Sequence, residues 1–191
     1  MAKNIEIDDK DRMILELLER DPEMSQSEIA KVVGLSQPSV GSRIKKLKEL
    51  GVISHVYGLN IKKSGLYILK VDMKCKRPSK ILGKLSNCPF FLNGLVLAGD
   101  KNATILLVSE DLTTLEAIVD KHIRAEPDVY DVEAGIVVRA ERDAVMPIKM
   151  YIERQKNAPC GDGSCTNCDY WKIDLCLGCP VTEHYRGKLW K

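Results

Sequence analysis

Residues 7–53 read IDDKDRMILELLERDPEMSQSEIAKVVGLSQPSVGSRIKKLKELGVI. This stretch contains three segments in which apolar residues recur at helical spacing. Asp8 or Asp9 is placed to cap the first segment, since an aspartate side chain accepts hydrogen bonds from the free amides of a first helical turn. Ser25 and Glu28 have the spacing of a capping box, in which each side chain bonds the amide of the other residue. The sequence therefore predicts two helices, one opening near Asp9 and one after Ser25.

The break between the second and third segments is very short. Gly34 ends the second helix, and only Leu35 separates it from Ser36, a suitable cap for the third. Pro38 falls in the first turn of that helix, where a missing amide is tolerated, and Gly51 terminates it. Three short helices with a tight glycine turn before the third are the pattern of a helix-turn-helix module.

After the third helix the sequence becomes β-prone. Residues 52–53 and 56–57 predict a small wing or hairpin, which would complete a winged helix-turn-helix domain over residues 1–57. Residues 58–65, GLNIKKSG, have the composition of a linker or hinge. We therefore expect a DNA-binding module joined by a short hinge to the rest of the chain.

Residues 66–145 alternate strand and helix patterns in the order βαββαβ, the ferredoxin-like arrangement, so the predicted fold class is α+β. Gly99-Asp100 supplies turn chemistry suited to a hairpin between the two middle strands. Both helices on one face of an antiparallel sheet leave the other face uncovered, and dimerisation would cover it. The expected strands are 67–73, 90–98, 103–109 and 131–138, and the expected helices are 78–86 and one beginning at Asp111 or Thr113.

Residues 7–53 closely resemble the opening of the Lrp/AsnC family, also called feast/famine regulators, and residues 66–140 resemble its effector and dimerisation domain more loosely. Together the two stretches cover about three-quarters of the chain. The second match rests mainly on element order and on the Gly99-Asp100 hairpin. The first match includes Ile7, Asp8, Asp11, Ile14, Leu15, Leu18, Ile29, Ala30, Val33, Gly34, Leu35, Ser36, Val40, Arg43, Ile44, Leu47, Gly51 and Ile53.

The resemblance implies a regulator that is not an enzyme, forms dimers that assemble further, and binds double-stranded DNA with its third helix. It also implies a small-molecule effector, often an amino acid, bound between central domains near the strand-turn-strand. Gly99, Asp100 and Asn102 lie in that part of this sequence. Asn102 stands where many members carry an acidic residue, so an amino-acid effector is less strongly implied here.

The charge of the third helix is consistent with DNA binding. Residues 1–34 carry five Lys/Arg against nine Asp/Glu, whereas residues 37–50 carry four basic residues and one acidic residue. A solvated helix face would look the same, so the family resemblance decides between the two interpretations. The N-terminal turns of such a helix read base edges while basic side chains contact phosphates. The expected groove-facing residues are Gln37, Ser39, Ser42 and Arg43, with Lys45, Lys46 and Lys48 at the DNA backbone or in solvent.

The last segment, residues 146–191, predicts a small cysteine-rich metal module after a connecting helix at 146–155. It contains five of the seven cysteines of the chain, in the runs CGDGSCTNC (160–168) and CLGCP (176–180). Two Cys-x-x-Cys pairs can each chelate one metal ion from a tight turn. Four of Cys160, Cys165, Cys168, Cys176 and Cys179 are the expected ligands, with Tyr170, Trp171 and Trp190 packed over the site.

Two metal groups fit this spacing. Four thiolates suit tetrahedral zinc, which the sequence slightly favours. The spacing Cys160-x4-Cys165-x2-Cys168 is also that of plant-type ferredoxin ligands, and Cys179-Pro180 resembles the end of bacterial cluster motifs, so an iron–sulfur cluster is the other possibility. The two remaining cysteines, Cys75 and Cys88, are expected to be small packed residues rather than ligands.

The N-terminus has no apolar segment typical of a signal peptide, and no apolar run approaches membrane-spanning length, so we expect a cytoplasmic protein without membrane contact. In that reducing compartment, seven cysteines favour metal or redox chemistry over structural disulfides. The leading hypothesis is a transcription regulator that responds to metal or redox state through its cysteines. The alternatives are a tetrapyrrole (siroheme-type) decarboxylase on the same scaffold and an iron–sulfur electron-transfer protein.

Overall fold

The computed structural model describes residues 6–141, 143–159 and 165–190. Backbone contacts divide the chain into two compact units, residues 1–56 and residues 57–191. Within the described parts of the chain, no helix combines the length and the apolar character needed to cross a bilayer.

The first unit consists of three helices that begin and end where the sequence predicts. Asp8 caps the first helix and forms a capping box with Asp11, and Ser25 forms one with Glu28 at the second. Gly34 ends the second helix at a φ of 68°, a left-handed conformation that favours glycine. The helices are α1 (Asp9–Arg20), α2 (Gln26–Val33) and α3 (Gln37–Glu49), and their shared core contains Ile14, Ile29, Ala30, Val33, Val40 and Ile44.

The predicted hairpin and linker differ from the structure. Residues 52–57 form no strand, and Ile53 packs against the helical core instead. Residues 58–65 contain the strand β1 (Leu59–Asn60) and a single helical turn, α4 (Ile61–Ser64). The β-prone pairs are too short to bury a hydrophobic face as a hairpin, whereas Ile61 is 6% exposed and anchors its segment in the second unit.

The second unit contains the predicted βαββαβ sheet. Its strands are all antiparallel in the order β3-β4-β2-β5, with Leu69 of β2 opposite Leu107 of β4 and Ile136 of β5. The helices pack on the face that carries these residues, and the second continues into a π-helical turn, Asp120–Arg124. The elements are β2 (Tyr67–Cys75), α5 (Pro78–Leu85), β3 (Phe91–Val96), β4 (Ala103–Ser109), α6 (Leu112–Val119) and β5 (Val129–Ile136).

The prediction of a connecting helix at residues 146–155 is wrong. A short strand, β6 (Val145–Met146), pairs with β1, and residues 147–155 form neither helix nor strand. Two long-range hydrogen bonds hold this stretch: Gln155 N–H donates to Val181 O at 2.6 Å, and Trp190 Nε1 donates to Lys149 O at 2.8 Å. These partners lie 26 and 41 residues away, so no helical period in the segment itself could indicate them.

The C-terminal residues enter the core of the second unit rather than forming a separate module. Trp190 is 3% exposed, and its ring packs edge-on against Phe90 at 5.3 Å and against Tyr185 at 5.9 Å between ring centres. Two short helical segments precede this region, a 3-10 turn at Cys165–Asn167 and α7 at Asp169–Lys172. The cysteine-bearing residues are therefore part of the unit that contains the sheet.

Candidate functional site

The exposed side of α3 carries polar and basic residues. Val40, Ile44 and Leu47 face the core, while Ser39 and Ser42 are exposed on the opposite side with the two lysines at 45 and 46. Lys45 makes a long ion pair with Glu49 at 3.9 Å. Lys46 and Lys48 are exposed, and in the described parts of the chain neither has an ion-pair partner. These side chains are available to a polyanion.

Gln37, at the start of α3, is held by a neighbouring helix. Its Nε2 donates to Gln26 Oε1 of α2 at 2.9 Å. A β-carbon at Gly41 would lie 2.8 Å from the same Gln26 oxygen, so glycine there leaves room for Gln26 to lie across α3. This contact uses one of the two N–H donors of the Gln37 side-chain amide, which leaves the other donor and the carbonyl oxygen for a base edge.

Arg43 is engaged within the protein. Its guanidinium donates to Asp8 Oδ2 at 2.6 Å and to Asp11 Oδ1 at 2.8 Å, which joins α3 to the capping box of α1. The Asp11 and Asp8 carboxylates raise the pKa of Arg43, and the Asp11 amide together with Arg43 lowers the pKa of Asp8. This geometry favours a positioning role for Arg43 over the predicted base contact. The sequence predicts the cap at Asp8, but it does not indicate that Arg43, more than 30 residues away, binds the two aspartates of the capping box.

The turn predicted to lie near an effector has partners inside the sheet. Asn102 accepts from the Cys75 amide at 2.9 Å and donates to Cys75 O at 2.7 Å, tying β2 to the turn. Lys74 Nζ donates a hydrogen bond to the Asp100 carboxylate. Cys75 is 3% exposed, and burial raises the pKa of its thiol, as expected for a packed residue.

The structure brings together four of the five predicted metal ligands. They line one cavity of about 70 Å³ against the central domain, while Cys160 lies outside the described residues. Trp171, Cys88 and His122 also line it, and Cys88 packs against the core of the second unit, as expected for a small packed residue. In the described ranges, no three Cys, His, Asp or Glu side chains form a group that could hold a single metal ion. The four predicted ligands that line the cavity are Cys165, Cys168, Cys176 and Cys179.

Backbone amides point at two of these sulfur atoms. Cys179 N–H donates to Cys165 Sγ at 3.4 Å, which joins the two Cys-x-x-Cys pairs, and Gly178 N–H donates to Cys176 Sγ at 3.4 Å. Gly178 has a φ of 86°, and a β-carbon there would lie 2.6 Å from His184 O. Burial raises the pKa of the Cys176 thiol, with smaller contributions from Cys168 and Cys165.

Three groups of hydrogen bonds join the cysteine region, residues 165–190, to the central domain, residues 66–136. Leu177 N–H donates to the buried Thr114 Oγ1 of α6 at 2.9 Å, beside Cys176. Tyr170 donates to Asp120 of the π-helical turn, and it does not line the cavity. Glu110 accepts from the Tyr185 hydroxyl at 3.0 Å and from the amides of residues 188 and 189. The sequence pattern singled out neither Glu110 nor Thr114, because their partners are at least 63 residues away.

The comparisons with known proteins agree with this geometry. A family model described as winged helix-turn-helix DNA-binding matches residues 7–54. The HTH-type transcriptional regulator LrpA of Pyrococcus horikoshii is 31% identical over 136 residues, which are 69% of this chain and 96% of that protein. The relatives are transcriptional regulators, so neither the decarboxylase nor the electron-transfer alternative is supported.

Solved structures show the same fold. Escherichia coli AsnC aligns with a TM-score of 0.63 at 21% identity, covering 74% of this chain and 98% of that one. A transcriptional regulator of Neisseria meningitidis, solved as an L-Met complex, aligns with a TM-score of 0.62 at 16% identity, covering 75% and 98%. The relatives are covered almost completely, whereas about a quarter of this chain has no counterpart in them. From its helix-turn-helix unit, its sheet and its relatives, this chain belongs to the Lrp/AsnC family of DNA-binding transcriptional regulators.

Proposed function

We propose that this regulator reads a specific DNA sequence with α3 as a homodimer, and that metal bound by its C-terminal cysteines alters its affinity for DNA. The observation that supports DNA binding is the exposed side of α3, which presents Ser39, Ser42, Lys45 and Lys46. Serine hydroxyls bond base edges in the major groove, and lysines neutralise phosphates.

Within this interface the residues have different tasks. Gln37, oriented by Gln26, is placed to bond a base edge from the first turn of α3. Arg43 positions α3 through Asp8 and Asp11 rather than contacting a base. The two lysines supply affinity that is independent of sequence and sensitive to salt.

A homodimer supports this function because two recognition helices read two half-sites about one helical turn apart. The sheet face opposite α5 and α6 is the surface we assign to dimerisation. It carries partly buried Leu106 beside Lys70 and exposed Leu95 beside Thr104. A small-molecule effector belongs to the proposal as well, by analogy with the L-Met complex of the Neisseria regulator, with the turn at 99–102 as its place.

The metal half of the proposal is supported by the cysteine cavity. Two Cys-x-x-Cys pairs meet at one cavity, and the Leu177–Thr114 hydrogen bond connects their second turn to α6 of the regulatory sheet. A change in metal occupancy would therefore act on the domain that spaces the two recognition helices. The group is zinc or an iron–sulfur cluster.

DNA recognition is tested by selecting duplexes from genomic fragments and measuring affinity by fluorescence anisotropy across a salt series. Lys46→Ala should weaken binding to every duplex and reduce the slope of log K against log salt by about 1. Ser42→Ala should instead change the preferred sequence. Lys63→Ala, exposed on α4 in the other unit, is the matched control and should bind as the parent does. Unchanged binding by both α3 variants would contradict the proposal.

A further inference from the structure

The geometry points to an iron–sulfur cluster, rather than a single zinc ion, as the group held by Cys165, Cys168, Cys176 and Cys179. This inference rests on the metal half of the proposed function and names the group that this half left open. The cluster lies in the cavity between the cysteine region and the α5–α6 side of the central domain. Its site is shared by two parts of the chain rather than contained within the C-terminal residues.

The size of the cavity is the first argument. Zinc–sulfur bonds of about 2.3 Å bring four tetrahedral sulfurs within about 3.8 Å of one another, which leaves no free space between them. The four cysteines here border a cavity of about 70 Å³, and roughly 10–15 Å³ of such space already accommodates a water molecule. A cluster places several iron and sulfide atoms between its thiolates, so it requires a space of this kind.

The separation of the ligands is the second argument. In the ranges that the structure describes, no three metal-binding side chains form a group that could hold one ion, although five cysteines, the four proposed ligands and Cys88, line the same cavity. Ligands that surround a common space without converging on a point match a group with several metal atoms. Each thiolate then binds a different position on that group.

The walls of the cavity are the third argument. Leu85, Phe90 and Ile118 from the central domain and Trp171 from the cysteine region make most of the lining apolar. Lys121 and His122 are its basic members. The two amide-to-sulfur hydrogen bonds, from Cys179 to Cys165 and from Gly178 to Cys176, supply polar contacts at the sulfurs themselves. An apolar shell with amides directed at the cysteine sulfurs is what sets the stability and potential of iron–sulfur clusters.

The ligand set follows from this placement. Four thiolates complete a cluster, so Cys88, which reaches the cavity from the central domain, acts as part of its wall. Cys160 is then not required as a ligand. Cys75 is 3% exposed on β2 and bonded to Asn102, which makes it a matched cysteine control outside the cavity.

The test is metal and acid-labile sulfide analysis of the full chain, expressed with iron and zinc both supplied and purified without oxygen. We expect two to four irons and as many sulfides per chain, with a visible absorption band from sulfide-to-iron charge transfer. Cys168→Ala and Cys176→Ala should lose most of the iron and the colour. Cys75→Ala and Cys88→Ala should keep both, which separates loss of a ligand from loss of any cysteine.

Each other result has a definite meaning. About one zinc per chain without sulfide would overturn the cluster while leaving a metal module in place. No metal in the parent protein or its variants would overturn the cluster and the metal half of the proposed function together. Loss of iron in Cys88→Ala with iron retained in Cys168→Ala would overturn the ligand assignment. Binding of selected DNA, measured separately, still decides the DNA half.

Discussion

The helix-turn-helix unit and the cysteine region, residues 165–190, are held in place in different ways. In the helical unit, caps such as Asp8 and Ser25 fix each helix with residues three positions away, and one long-range clamp from Arg43 joins α3 to α1. The cysteine region is held by contacts to residues far away in the chain, above all Glu110 and Thr114.

This difference shows where the two regions obtain their stability. The helical unit has its own core around Ile14 and Val40. The cysteine region contributes Tyr185 and Trp190 to the core of the sheet domain. A change in the cysteine region should therefore affect the regulatory domain, whereas a change in the helical unit should stay local.

The largest expected effect is that of Trp190→Ala, because it empties a site that is 3% exposed and packed against Phe90 and Tyr185. The free energy of unfolding of the second unit should fall by about 3–5 kcal/mol. Tyr151→Ala, at a side chain that is 85% exposed, is the control and should change it by no more than about 0.5 kcal/mol. Denaturant unfolding followed by circular dichroism and tryptophan fluorescence measures both. Similar losses in the two variants would mean that the C-terminal residues are not part of this core.

The next effect is that of Glu110→Ala, which removes the acceptor for the Tyr185 hydroxyl and for two C-terminal amides. We expect the second unit to lose about 2 kcal/mol of stability, and protease cleavage near the C-terminus to become faster. Glu116→Ala breaks a largely solvent-exposed ion pair with Arg124 and should cost less than about 1 kcal/mol. Equal sensitivity of the two variants to denaturant and protease would contradict the anchoring role of Glu110.

A smaller effect should come from Arg43→Ala in the helical unit. It leaves Asp11, whose side chain is 6% exposed, without its cationic partner, and should destabilise that unit by about 1–3 kcal/mol. Lys46→Ala on the same helix should leave stability unchanged while weakening DNA binding. Thermal unfolding of both variants measures the difference. If Arg43→Ala melted with the parent protein but lost sequence preference, Arg43 would be a base-reading residue after all.

The smallest effect concerns pH. The Asp11 amide and the Arg43 guanidinium lower the pKa of Asp8 in the folded protein. Its contribution to stability is therefore complete above the unfolded pKa of about 3.9 and is lost as the pH falls through the lower folded value. An acid titration of helicity should show this loss, and Asp8→Asn should flatten it. A parent and variant that unfold along the same acid curve would exclude the contribution of Asp8.

The two regions also differ in what the sequence could predict. Caps at Asp8, Ser25 and Ser36 act over three or four residues, so the sequence places all three helices correctly. The βαββαβ order is likewise visible in the periodicity of residues 66–145.

The cysteine region could be predicted only in part. The Cys-x-x-Cys spacing identifies four of the five described cysteines that line the cavity, because each pair lies on one turn, but it does not indicate Cys88. The attachment of that cavity to α6 through Thr114, and the packing of Trp190 on Phe90, depend on residues that lie 63 and 100 positions apart. The prediction of a helix at residues 146–155 is wrong for the same reason, because the hydrogen-bond partners of this stretch are residues 181 and 190.

The most direct test of the account compares the DNA affinity of one preparation with its cysteine cavity loaded and after removal of the metal group by a chelator. A selected duplex and fluorescence anisotropy at fixed salt provide the measurement, and Cys168→Ala provides a second apo form. We predict that the Kd of the loaded and apo forms differs by at least about tenfold, within the range usual for coupled sites, and that Cys168→Ala matches the apo form. Equal affinity of all three would contradict a regulatory role for the cysteine region.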